Sequence, residues 1–70
     1  MAMGIVKWFD SEKGYGYLWA EDGSEDTYID ASALERSGLS NLRKGQLVHF
    51  DLQHDRLIRQ RKAVNIVPFN

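Results

Sequence analysis

The chain has 70 residues, no cysteine and a net charge of −1. That length predicts one small domain, residues 1–70, with a thin core, since chains of this size bury only about 60% of the surface they expose on unfolding. No disulfide framework or thiolate metal site is available, and no apolar run is long enough for a membrane span or a secretory segment. These features suit a reducing cytoplasm, the expected location. The charge is unevenly spread: residues 1–35 hold two lysines against eight acidic residues, while residues 36–70 hold seven basic residues against two acidic ones. Such asymmetry makes a local positive field on a nearly neutral molecule, or an attraction between the two halves of one fold.

Gly4 to Asp10 is rich in β-formers, with Ile5, Val6, Trp8 and Phe9. Asp10 to Gly14 reads as a polar turn closed by glycine. Tyr15 to Ala20 is a second strand, and its alternation puts Tyr15, Tyr17 and Trp19 on one face with Leu18 on the other. Glu21 to Ser24 is a hairpin turn in which Asp22-Gly23 supplies positive φ. Asp26 to Asp30 is a short third strand, with Thr27 and Ile29 inward and Tyr28 outward.

Ser32 to Glu35 has capping-box spacing and predicts one short helical turn. Gly38 to Gly45 is a connecting loop. Gln46 to Leu52 is a fourth strand whose core face is Val48, Phe50 and Leu52. Arg56 to Val67 holds a fifth strand, ended by Pro68, which cannot donate a ladder hydrogen bond. Five short strands whose edges need protection predict a closed or nearly closed antiparallel barrel. Val6, Leu18, Ile29, Val48 and Phe50 furnish its inward set.

The stretch "GIVKWFDSEKGYGYL" resembles the bacterial cold-shock proteins and cold-shock domains. The family's first ribonucleoprotein motif is matched by Lys13-Gly14-Tyr15-Gly16-Tyr17. The similarity continues through "DGSED", "SAL", "GQLVHF" and "AVNI". The resemblance implies an all-β, five-stranded antiparallel oligonucleotide-binding (OB-fold) barrel that binds single-stranded RNA or DNA. By the same resemblance Lys7, Trp8, Phe9, Lys13, Tyr15, Tyr17, Asp26 and Tyr28 are the candidate binding residues. Trp8, Tyr15, Tyr17 and Tyr28 would be the stacking platform, the lysines would meet phosphates, and Asp26 would accept from base amino or imino groups. Phe9 is equally readable as a core residue. The physics is simple: an exposed ring stacks on an unpaired base for about 1–3 kcal/mol. Glycine between the rings removes bulk and lets backbone and ligand approach.

Two stretches depart from the family pattern. The second ribonucleoprotein motif usually supplies a histidine and a phenylalanine, but "YIDA" puts Asp30 and Ala31 there, and Leu39 stands where an aromatic is common. Fewer rings and an added carboxylate predict weaker binding than is typical. Asp26 and Asp30 flank Tyr28, either as base acceptors or as a solvated acidic face. In "HDRLIRQRKAV" the usual glycine-proline loop is replaced by Arg56, Arg59, Arg61 and Lys62. These contact phosphates, with Arg56 the candidate binding residue, or they guard an exposed strand edge.

Gly14 to Trp19 is not a dinucleotide fingerprint, because no helix follows. His49 and His54 lack a third ligand, so no metal site is expected. No cysteine nucleophile exists and the serines have no histidine nearby, so neither enzymatic activity nor a cofactor is expected. The reading is an RNA-chaperone-like binder of single strands. The alternative is a cold-shock-like barrel with a degenerate site, serving as a protein-interaction module. A monomer is expected, with exchange of the last strand between two chains as the alternative.

Overall fold

The computed structural model describes residues 1–69. Strands β1 (Ala2–Asp10), β2 (Tyr15–Ala20) and β3 (Thr27–Asp30) come first, and a short helix α1 (Ala31–Arg36) follows. Strands β4 (Leu47–Asp55) and β5 (Gln60–Pro68) complete the chain. The strands close into a barrel in the order β1-β2-β3-β5-β4. Gly14 and Gly23 close the first two turns with φ of 80° and 76°, as the sequence requires.

The sheet is mixed, which corrects the antiparallel expectation. β3 and β5 run parallel and meet at the pair Tyr28 and Lys62. Parallel neighbours need a crossover, and here α1, the following loop and β4 supply it. β5 pairs with β4 and β3 of its own chain, so closure is complete within one chain.

Val6, Leu18, Ile29, Val48 and Phe50 are all buried, as the alternation predicts. Ala33, Leu34, Leu42, Ala63 and Ile66 complete the core, with Ala33 and Leu34 brought in by α1. Two irregularities set which residues face inward. In β1, Val6 pairs with Leu18 and Trp8 with Tyr17, leaving Lys7 as an extra residue. This bulge puts the consecutive Lys7 and Trp8 both outside and returns Phe9 toward the core. In β5 the pairing slips between Val64 and Val67, with Asn65 at φ 52°. Ala63 and Ile66, three residues apart, thereby both point inward.

Three expectations are corrected. Leu52 is not core but 44% exposed. It keeps the inward phase opposite Ala63, yet β1 stops pairing with β4 at Ala2 and Phe50, so no strand covers it. The last hairpin is also displaced: β4 runs on to Asp55 and β5 begins only at Gln60. The carboxylate of Asp55 accepts from the backbone N–H of Leu57 at 2.9 Å and folds 56–59 into the turn. The helix is capped by Asp30 rather than Ser32: Oδ1 of Asp30 accepts from the Ala33 N–H at 2.9 Å.

Gly16 has a different purpose from the one its position between tyrosines suggests. It faces inward, and a Cβ there would lie 2.7 Å from Cα of Phe9 and closer still to the Trp8 carbonyl oxygen. The glycine serves the close approach of β1 and β2, not the approach of a ligand.

Candidate nucleic-acid interface

The bulge at Lys7 and the alternation of β2 and β3 bring four rings onto one outer face. Trp8, Tyr17 and Tyr28 form a cross-strand row in register, and Lys62 extends it onto β5. Tyr15 sits beside the row. Trp8 lies 5.3 Å from Tyr15 and 5.6 Å from Tyr17 between ring centroids. Tyr28 is stacked on Tyr15 at 6.0 Å and meets Tyr17 edge-on at 5.8 Å. Such contacts suit the ring quadrupoles and hold the cluster together without filling the core. Trp8 is 40% exposed, and the three tyrosines are half-buried.

The hydrogen-bonding ends of these rings are also placed. The Tyr17 hydroxyl donates to Oε1 of Gln60 at 3.0 Å, tying β2 to the start of β5. Burial raises the Tyr28 phenol above its ordinary pKa, and the nearby carboxylates of Asp30 and Asp55 add to the rise. Tyr28 therefore keeps its proton and remains a donor.

The charged candidates are largely engaged with one another. Lys7 Nζ pairs with Asp26 Oδ2 at 2.8 Å. Lys62 Nζ lies 3.3 Å from Asp30 Oδ2 and 3.8 Å from Asp55 Oδ2. Asp30 thus caps α1 with one oxygen and meets Lys62 with the other, and Asp26 answers Lys7. Neither carboxylate is simply a solvated acidic face. Arg61 reaches from β5 to Ser24 Oγ at 2.6 Å and the Glu25 carbonyl at 2.7 Å, latching the turn between β2 and β3. In that turn the Ser24 hydroxyl and amide both donate to Asp22 and lower its carboxyl pKa.

Lys13 stands exposed on the turn into β2, its backbone N–H donating to Asp10 Oδ1 at 3.0 Å. Arg56 is exposed in the β4–β5 turn rather than in a strand. Phe9 packs against the core, because the bulge gives it the inward phase, and it is not in the ring cluster. Trp19 faces outward, 47% exposed, but sits opposite Ile5 and away from the four-ring contacts. Gln60 is the neighbour that sequence reading missed, and Lys62, read there only as one of four basic residues for phosphates or an edge, joins the rings as the partner of Tyr28. Both reach this surface through pairings far along the chain, which no local pattern signals. His49 is stacked on Phe69 at 4.1 Å, on a different part of the barrel.

The family model described as the 'Cold-shock' DNA-binding domain matches residues 2–69. The chain is 42% identical over 66 residues to a probable cold shock protein of Sinorhizobium fredii, covering 94% of this chain and 96% of that one. It is 44% identical over 66 residues to a major cold shock protein of Streptococcus pyogenes, with 94% of each chain covered. With a cold shock-like protein of Thermotoga maritima the identity is 41% over 64 residues, covering 91% of this chain and 96% of the other. With a five-stranded barrel, a ring-bearing face on its first three strands and these matches over nearly its whole length, the chain belongs to the cold-shock domain family.

Proposed function

We propose that this protein binds single-stranded RNA or DNA by stacking bases on Trp8, Tyr15, Tyr17 and Tyr28, and so loosens nucleic-acid secondary structure. Cold-shock domain proteins are in general nucleic-acid binders without enzymatic activity. The observation that carries the reading is the ring cluster itself. Four aromatic side chains share one outer face although the barrel already has a complete apolar core.

Stacking is tolerant of sequence because every base has a π-face. Lys7, Lys13 and Arg56 border the surface and meet phosphates, with Lys7 exchanging Asp26 for a phosphate oxygen on binding. Asp26, once released, accepts from a base N–H group. Phe9, turned toward the core, is left out of the stacking platform. Loosening needs no nucleotide hydrolysis: capture of unpaired strands shifts the duplex equilibrium by mass action.

A second reading, a protein-interaction module, is favoured by one observation. Trp19, Ile5 and Leu47 form an outward row across β2, β1 and β4, each more than a third exposed. One titration separates the readings. Tryptophan fluorescence is followed while a short single-stranded oligonucleotide is added at several salt concentrations. The stacking reading predicts quenching, with affinity that falls as salt rises. Absence of any response at low salt, with purine-rich and pyrimidine-rich strands alike, overturns it in favour of the second.

A further inference from the structure

The turn between β4 and β5 ends in a side chain that the ring surface does not use. Leu57 is 96% exposed, and Arg56 and Arg59 stand exposed close on either side. Single exposed hydrophobic residues are common and carry no meaning alone. This one is held in a built turn. Asp55 Oδ1 accepts from the Leu57 N–H, and Arg59 takes the left-handed conformation at φ 54° where a glycine would be easier. Below the turn, Asp55 faces Gln60 and His54 faces Arg61 in regular pairing, with Lys62 reaching to Asp55.

The turn is also fixed relative to the rings. Gln60, the first residue of β5, accepts the Tyr17 hydroxyl at 3.0 Å, and Lys62 is the register partner of Tyr28. An exposed apolar tip, flanked in the chain by two exposed arginines, therefore stands at the border of a base-stacking surface. A protein partner would need a wider apolar patch than one leucine flanked by charges. Nucleic acid at a helix end fits the arrangement better: an apolar side chain entering between base steps unstacks them, and arginines neutralise the phosphates beside it.

We propose that this tip is a wedge for base-paired nucleic acid, in which Leu57 enters the last base step of a fraying helix while Arg56 and Arg59 hold its two backbones. The bases so released pass to Tyr17 and Tyr28 next to the turn. The wedge acts on paired strands and the rings on unpaired ones, so the two roles are separable. The inference rests on the stacking reading of the ring surface.

The test uses an RNA stem-loop with a single-stranded tail, labelled with a fluorophore and a quencher at the stem ends. An unstructured strand of the same length is titrated in parallel. Leu57→Ala is expected to keep its affinity for the unstructured strand while its stem opening at equal protein concentration falls by roughly tenfold. Leu57→Met is expected to restore opening, since an apolar side chain of similar volume still enters the step. Equal opening by wild type and Leu57→Ala overturns the wedge. So does a wild type that binds the unstructured strand but opens no stem. Failure of the wild type to bind the unstructured strand instead overturns the stacking reading on which the wedge rests.

Discussion

Tyr28 shows how much one residue's surroundings decide. Alternation in "TYID" is enough to put it outside, with Thr27 and Ile29 inside, and both of those are fully buried. Its neighbours are another matter. Tyr15 and Tyr17 come from the adjacent strand and follow from the predicted meander, whereas Lys62 arrives through a parallel pairing that no local pattern encodes. Burial and the carboxylates of Asp30 and Asp55 raise the Tyr28 pKa above 10.0, so the folded state binds its proton more tightly than the unfolded chain does. The linked stability is therefore complete below pH 10.0 and is lost as pH rises through the folded value. Urea unfolding of wild type and Tyr28→Phe across that range checks this. The wild type is expected to lose more stability than the variant with rising alkalinity, and parallel curves would contradict it.

At the scale of elements, α1 is the instructive case. Its existence is legible in the sequence but its cap is not. Ser32 with Glu35 and Asp30 with Ala33 both satisfy local capping rules, and the choice falls to Asp30 because β3 delivers it in register with Tyr15 at the helix start. The carboxylate that departs from the family motif is thus a structural cap as well as a charge beside the rings. The two roles separate by substitution. Asp30→Ala is expected to cost about 1 kcal/mol in urea unfolding by loss of the cap, and Asp30→Asn much less. Asp30→Asn is also expected to raise oligonucleotide affinity at low salt, since it removes a negative charge and frees Lys62 from its nearer carboxylate. Unchanged affinity would place Asp30 outside the binding path. The hairpin at 56–59 teaches the same lesson: Asp55 and a left-handed Arg59 make the turn without glycine or proline, so the expected composition signal is missing.

For the whole molecule, the opposed charges of the two halves have a visible outcome. Lys62 meets Asp30, and Arg61 holds Ser24 and the Glu25 carbonyl, both across the β3–β5 side where the barrel closes. The Lys62–Asp30 pair is largely shielded from water, and the Arg61 latch adds two hydrogen bonds on the same side. Five strands and the inward set were readable from period-two alternation and turn residues. The mixed sheet was not, because a parallel contact depends on how distant segments return to one another. Nor was the exposure of Leu52, which depends on where β1 stops pairing with β4. The ring face was legible because β2 alternates cleanly, while the bulge that turns Trp8 out and Phe9 in left no sequence signal of its own.

The central claim is that the rings on this face stack on bases. It is tested most directly by titrating a short single-stranded oligonucleotide into wild type, Tyr15→Ala and Tyr28→Ala, with tryptophan fluorescence as the signal and urea unfolding to verify the fold. Each variant is expected to lose about 1–3 kcal/mol of binding, roughly five- to 150-fold in affinity. Folded variants that bind as tightly as wild type would contradict the account.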